Sequence, residues 1–199
     1  MKRVMLYFGS FNPIHKGHIA LAEYAVEKGL CDELVLVVSP QSPYKQAEEL
    51  APEMDRFEMA EAACAASRYP DRVCAMIEFN KALSKKIYAG ADMFLMPSKS
   101  EPCGLSQMIA SRYGTVAIVR EIGGLADTII PYNEFENTGN GFSFVNYNAH
   151  DMMNTVYYAR TVYGDGEKWR SIVRRAMDTD FSWHSSAGKY IDLYTSMQY

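Results

Sequence analysis

Short, uninterrupted apolar runs alternate with helix-period segments along the whole chain, and this alternation constrains the fold more than any other feature. Val4 to Phe8 is an apolar run ending at Gly9, and Gly17 to Lys28 then places Ile19, Leu21, Ala22, Ala25 and Val26 close to helical spacing. Leu34 to Val38 repeats the buried-strand signature. Ser39 to Pro52 is turn-rich, and Met54 to Ala66 is an Ala- and Met-rich helix former. The same reading continues with strands at Val73 to Ile77, Met93 to Met96, Val116 to Val119 and Phe142 to Val145. Between them come helices at Ala82 to Tyr88, Leu105 to Tyr113 and Leu125 to Ile130. Helices over Asp151 to Tyr163, Lys168 to Met177 and Ser186 to Ser196 finish the chain, and Pro131 to Asn140 reads as a surface excursion. Strands made of continuous Val, Leu and Met runs belong in a mainly parallel sheet covered on both faces. The expected class is α/β: a Rossmann-like, doubly wound sheet with a helical C-terminus, in one domain over residues 1–199.

Charge and cysteine usage narrow the function. Twenty Lys and Arg against 24 Asp and Glu leave a net charge of −4, with no basic surplus to neutralise a phosphate backbone, so no nucleic-acid partner is expected. Cys31, Cys64, Cys74 and Cys103 lack metal-ligand spacing and read as reduced thiols, Cys103 as a small buried residue. No apolar run approaches the roughly 20 residues of a membrane span, so a cytoplasmic protein without a membrane partner is expected.

The first candidate site lies where the first strand gives way to the first helix, the place where open α/β sheets bind ligands. Gly9 lets the backbone approach a ligand closely, and the free N–H groups of a helix start attract anions. His15 and His18, three apart, can face one side and share the oxygens of a phosphate. Taken alone, two such histidines are more often merely exposed. The whole segment, Gly9-Ser10-Phe11-Asn12-Pro13-Ile14-His15-Lys16-Gly17-His18, resembles the nucleotidylyltransferases with an HxGH signature, in particular the bacterial nicotinate-mononucleotide adenylyltransferases. The likeness continues through Val38-Ser39-Pro40-Gln41-Ser42-Pro43-Tyr44-Lys45 and the helix with Arg56, Met59 and Ala60, covering about residues 1–67. It implies attack of a nicotinate-nucleotide phosphate on the α-phosphate of ATP with Mg²⁺. In that reading His15 and His18 stabilise the reacting phosphate, Gly9, Ser10 and Phe11 line the nucleotide, and Lys45 lies near the second substrate.

The second candidate site lies further along. Lys86-Ile87-Tyr88-Ala89-Gly90-Ala91-Asp92 through Pro97-Ser98, then Glu101-Pro102-Cys103-Gly104-Leu105, Arg112-Tyr113-Gly114-Thr115, Gly123-Gly124-Leu125-Ala126-Asp127 and Asp180-Phe181-Ser182-Trp183 resemble the C-terminal nucleotide-sugar domain of bacterial glycogen synthase, over about 71–199. The resemblance implies that Glu101 meets the donor sugar or ribose of ADP-glucose. It also implies that backbone N–H groups around Gly104-Leu105 and Gly123-Gly124-Leu125 hold donor groups at helix starts. Glu101 in isolation would simply be an acid at a helix start.

The chain thus reads as a composite of two half-Rossmann pieces, residues 1–70 and 71–199. The favoured reading is an adenine-nucleotide-binding, adenylyltransferase-like protein taking ATP at the first site; the alternatives are a glycosyltransferase fragment binding ADP-glucose and a folded chimera without turnover. Tyr157, Tyr158, Tyr163, Trp169, Trp183, Tyr190 and Tyr194 read as packing residues, and His150 and His184 as structural ones. Tyr190, Ile191 and Tyr194 form an apolar face on the last helix, with self-association as its expected consequence.

Overall fold

The computed structural model describes residues 3–38, 51–76 and 81–197. Each apolar run becomes a strand of one parallel sheet: β1 (Val4–Gly9), β2 (Glu33–Val38), β3 (Val73–Met76), β4 (Met93–Met96), β5 (Val116–Arg120) and β6 (Phe142–Phe144). The helices are α1 (Lys16–Glu27), α2 (Glu53–Ala65), α3 (Lys81–Gly90), α4 (Ser106–Arg112), α5 (Gly124–Thr128), α6 (Ala149–Tyr163), α7 (Gly166–Asp178) and α8 (Trp183–Ser196). The strand order is β3-β2-β1-β4-β5-β6, so the winding reverses between β1 and β4. This is the expected Rossmann-like α/β class.

Successive strand residues face opposite sides, and both sides are dry. Met5, Tyr7, Leu34, Leu36, Met93, Leu95 and Ile118 pack with α1, α2, α6 and α7 through residues such as Ala22, Ala60, Val156 and Ile172. Leu6, Phe94, Ala117 and Val119 pack on the other face with Tyr88 of α3, Ala110 of α4 and Leu125 of α5. Local signals set the helix ends. Asn148, Asp165 and Ser182 cap α6, α7 and α8 through their side-chain oxygens. After α1, Leu30 N–H returns to Ala25 O at 2.9 Å and Gly29 N–H to Val26 O at 3.0 Å, a Schellman stop that needs the positive φ of Gly29 (62°).

The first 70 residues and the remainder share this sheet and core. At the reversal, Met5, Leu6 and Tyr7 pair with Met93, Phe94 and Leu95. Asp92 accepts from Val4 N–H at 3.2 Å and from the Tyr163 hydroxyl at 3.2 Å. On the helical layer, the Tyr157 hydroxyl meets that of Tyr24 at 2.7 Å, and Arg160 Nε donates to Gly29 O at 2.7 Å. The excursion between α5 and β6 is a small bridged loop, with Asn133 opposite Thr138.

The last helix bears out only part of the packing expectation. Trp169 is buried in the core, whereas α8 buries none of its residues, and Trp183 is 90% exposed. The Trp183 ring sits at the first residue of a helix that stands off the body, so no core reaches it. Tyr190, Ile191 and Tyr194 are exposed, as expected for that face.

Candidate functional site

The carboxyl ends of β1 and β4 lie side by side at the reversal of strand order, which opens a crevice between their following loops. Both sequence-derived sites face this end of the sheet. Gly9, Ser10, Phe11, His15 and His18 follow β1; Glu101, Gly104 and Leu105 follow β4; Gly123 and Gly124 follow β5. Lys45 lies outside the described residues.

On the β1 side, Phe11 turns its ring inward with a φ of 43° and is 3% exposed. The ring stands edge-on to Tyr7 at 5.4 Å and to His18 at 5.1 Å, and a side chain on Gly9 would meet it at 3.1 Å. His15 caps α1: its Nδ1 accepts from Gly17 N–H, and its own backbone N–H donates to His18 Nδ1, both at 3.1 Å. The two rings stack with centroids 3.6 Å apart. Because both Nδ1 atoms accept, the neutral tautomers carry their protons on Nε2, leaving two N–H donors at the helix start. Burial first, and the neighbouring His15 second, push His18 down to about 4, so it is neutral at pH 7. With His18 neutral, the stacked pair offers donors to anionic oxygens without the repulsion of two cations.

The β1 loop is held from behind by Arg56 of α2, which is 1% exposed. Its Nη1 donates to Ser10 O at 2.7 Å and its Nε to Ala51 O at 2.9 Å, while Ala51 N–H donates to the Asn12 side chain at 3.0 Å. Sequence reading noted Arg56 without giving it this work. An arginine inside an Ala- and Met-rich helix, where most neighbours need no charge, is the signal that marks it.

On the other side, the Glu101–Cys103 backbone lies directly on Gly123 and Gly124. A side chain on Gly123 would collide with Glu101 O, and one on Gly124 with Cys103 O; Gly124 N–H donates to Pro102 O at 3.2 Å. Gln107, fully buried, ties the layers: its Nε2 donates to Cys103 O (3.1 Å), Gly104 O (2.8 Å) and Thr128 Oγ1 (3.1 Å), and Thr128 Oγ1 donates to Gly124 O at 2.6 Å. Arg120 braces the start of the β4 loop through Ser98 O (3.4 Å) and Lys99 O (2.8 Å), beneath the Tyr147 ring. Gln107 and Arg120 were not singled out from sequence, because their roles depend on contacts between loops distant in the chain.

Several details differ from expectation. Cys103 is exposed, since its backbone and not its thiol faces the glycine pair. Leu125 is a core residue of the α5 face, and its N–H donates to Ile122 O at 3.1 Å, as Gly124 N–H does to Pro102 O. Two of the expected backbone donors are thus engaged internally. With seven residues in α4 and five in α5, the macrodipole at these starts is weak compared with that of the 12-residue α1. His150 and His184 are both exposed. Among the described residues no group of three His, Cys, Asp or Glu gathers as a metal site, and the Nδ1 atoms of His15 and His18 are already occupied. These residues do not fit a resident Mg²⁺; such an ion would arrive on the phosphates of a nucleotide.

Comparison with known proteins finds likeness both to glycogen synthases and to one family model. The glycogen synthase of Lachnospira eligens is 59% identical over 131 residues, which is 65% of this chain and 27% of that protein. That of Anoxybacillus flavithermus is 57% identical over 129 residues, again 65% and 27%. The chain therefore spans about a quarter of the length of these relatives. Among solved structures, the catalytic domain of starch synthase IV from Arabidopsis thaliana, bound to ADP and acarbose, superposes with a TM-score of 0.72 at 32% identity, over 98% of this chain and 38% of that one. Sucrose-phosphate synthase from Thermosynechococcus elongatus shares the fold, with a TM-score of 0.63 at 22% identity over 98% of this chain and 45% of that one. No helix among the described residues is long and apolar enough to cross a membrane. The family model described as cytidylyltransferase-like matches residues 6–162, running from β1 through the crevice loops to α6. By that match, the chain belongs to the cytidylyltransferase-like family.

Proposed function

We propose that the chain is the nucleotide-sugar half of a glucosyltransferase of the glycogen synthase kind, taking ADP or ADP-glucose into the crevice between the β1 and β4 loops. The observation that carries this reading is the seating of the Glu101–Cys103 backbone on Gly123–Gly124, which fixes the Glu101 backbone in the loop after β4, in a chain 59% identical to a glycogen synthase over 131 residues. Glu101 would accept from donor sugar or ribose hydroxyls. His15 and His18 would donate Nε2–H to the diphosphate. The composite reading, residues 1–70 from a nucleotidylyltransferase and 71–199 from a glycogen synthase, fits a matched length close to that of the second part.

A second reading, adenylyl transfer from ATP·Mg²⁺ to a nicotinate nucleotide, is favoured by the stacked histidines at the start of α1, with His18 neutral, and by the family match. A folded chimera without turnover is the third. Calorimetric titration with ADP, ADP-glucose and ATP·Mg²⁺ separates them. Saturable ADP-glucose binding that is lost in Glu101→Ala supports the glucosyltransferase reading. ATP binding lost only in His15→Ala, accompanied by pyrophosphate release with a nicotinate nucleotide, supports the second. No heat with any of the three supports the third. The apolar face of α8 is a further proposal: a dimer at high concentration in sedimentation velocity that dissociates in Tyr190→Ser/Tyr194→Ser supports self-association.

A further inference from the structure

Gln107 is the second residue of α4 and fully buried, yet its amide is aimed at the crevice loops. Nε2 meets Cys103 O, Gly104 O and Thr128 Oγ1, and the Thr128 hydroxyl carries the connection on to Gly124 O. Turning the amide over would set its oxygen against two carbonyls, so the orientation is fixed by the loops themselves. The other end of the amide is unsatisfied: Oε1 is buried with no hydrogen-bond partner among the described residues. Such an atom costs stability, and a methionine would fill the same space with no polar atom to satisfy. Packing alone therefore does not explain a glutamine here.

The direction of the bonds does. In a trans peptide the C=O and the N–H point opposite ways, so holding Cys103 O and Gly104 O towards the buried amide turns the N–H groups of Gly104 and Leu105 away from it. Neither N–H donates to an acceptor among the described residues, whereas those of Gly124 and Leu125 do. A positive φ at Gly104 (74°) followed by the right-handed conformation of Leu105 (φ −104°, ψ −29°) is the alternation in which successive N–H groups converge on an anionic oxygen. The amide packs directly behind this turn, since a Cβ on Gly104 would meet Oε1 at 2.5 Å.

We infer that Gln107 is a positioning residue of the nucleotide site. It touches no ligand; its amide aims the Gly104 and Leu105 N–H groups at the diphosphate and ties them, through Thr128, to the start of α5. The inference rests on the reading that an adenine nucleotide enters the crevice, and adds to it the group that keeps the two loops in one arrangement.

The test uses the full chain with ADP as the probe, followed by calorimetry and by amide NMR. Gln107→Met should bind ADP about tenfold more weakly, the effect of misdirecting one or two donors to a charged oxygen. Ser111→Ala is the comparison: its hydroxyl is buried one turn further along α4 without a partner among the described residues, and its loss should leave the ADP affinity within about twofold. Without ligand, the Gly104 and Leu105 amide resonances should move in Gln107→Met while those of His15 and Gly17 stay. Gln107→Glu serves if the methionine variant does not fold. Ionised at about pH 8 it has no donor, and protonated at about pH 6 it regains one, so its ADP affinity relative to the parent should recover as pH falls. Parent-like ADP affinity in folded Gln107→Met, an equal loss in Ser111→Ala, unmoved Gly104 and Leu105 resonances, or a flat pH profile in Gln107→Glu overturns the inference. A parent chain that takes no ADP refutes the nucleotide reading instead, and the ligand-free resonances still decide whether Gln107 sets the two amides.

Discussion

Replacing Gly123 by alanine should cost several times more stability than the same change at Gly29, and the difference measures how tightly the β4 and β5 loops are seated. Both glycines have positive φ, 62° at Gly29 and 47° at Gly123, so each alanine is strained. At Gly29 an added Cβ meets nothing within 4 Å, so only the left-handed penalty of about 1–2 kcal/mol acts, offset by about 0.4–1 kcal/mol from a stiffer unfolded chain. Gly123, with ψ at −135°, occupies a region nearly restricted to glycine, at a cost of about 1–3 kcal/mol for another residue. Its Cβ would also strike Glu101 O, a backbone atom that cannot rotate away. Moving that backbone breaks the bond from Gly124 N–H to Pro102 O, about 1 kcal/mol more. The expected losses are about 1 kcal/mol for Gly29→Ala and about 3–4 kcal/mol for Gly123→Ala. At about 2–4 °C per kcal/mol for a chain of this size, Tm should fall by a few degrees in the first and by roughly 10 °C in the second. Urea unfolding and thermal melts of both variants check this. Equal losses would refute the claim that the loop seating is close and rigid.

Other expectations follow from single groups. The depressed His18 ionisation disfavours the protonated fold, so its contribution is complete above the ordinary value of 6.5 and is lost as pH falls towards about 4. Partial exposure reduces the effect to about 1–2 kcal/mol, visible as a lower urea midpoint at pH 4.5 than at pH 7 and absent in His18→Gln. Arg56→Met should cost about 2–3 kcal/mol and speed amide exchange at Ser10 to Asn12; unchanged exchange would mean that the β1 loop holds its shape without the arginine. With a thiol reagent, exposed Cys103 should react in the native protein. Cys31 and Cys64, buried with their thiols pushed up to about 12, should react only on unfolding; four equal native rates would contradict the packing.

The strands were legible because parallel strands buried on both faces need uninterrupted apolar runs, and Leu34 to Val38 or Met93 to Met96 satisfy no other common environment. The start of α1 was legible for a similar reason: His15 and His18 at a spacing of three share a helix face. Their stacking, their common tautomer and the depressed ionisation of His18 were not, because these depend on the Phe11 ring and on burial. Local pattern also could not tell that Cys103 faces outward while its carbonyl faces Gly124, or that Trp183 finds no core. Such facts depend on which loop meets which, and residues some 20 positions apart carry no periodic signal of their meeting. Thus the two candidate sites were each visible in sequence, while their opening onto one end of one sheet required the strand order.

The central position of β1 has a consequence for how the chain reaches this structure. One edge of β1 is filled by β2, about 30 residues on, but the other waits for β4, some 90 residues away. Until β4 docks, the open edge of Met5 to Tyr7 presents unpaired amides beside an apolar surface, a template for another chain in the same half-built state. Slow assembly is therefore a hazard located at one place. Conditions that delay the docking of β4, such as crowding of nascent chains at high expression, should yield aggregates nucleated by β1, even though the finished sheet buries Met5 to Tyr7.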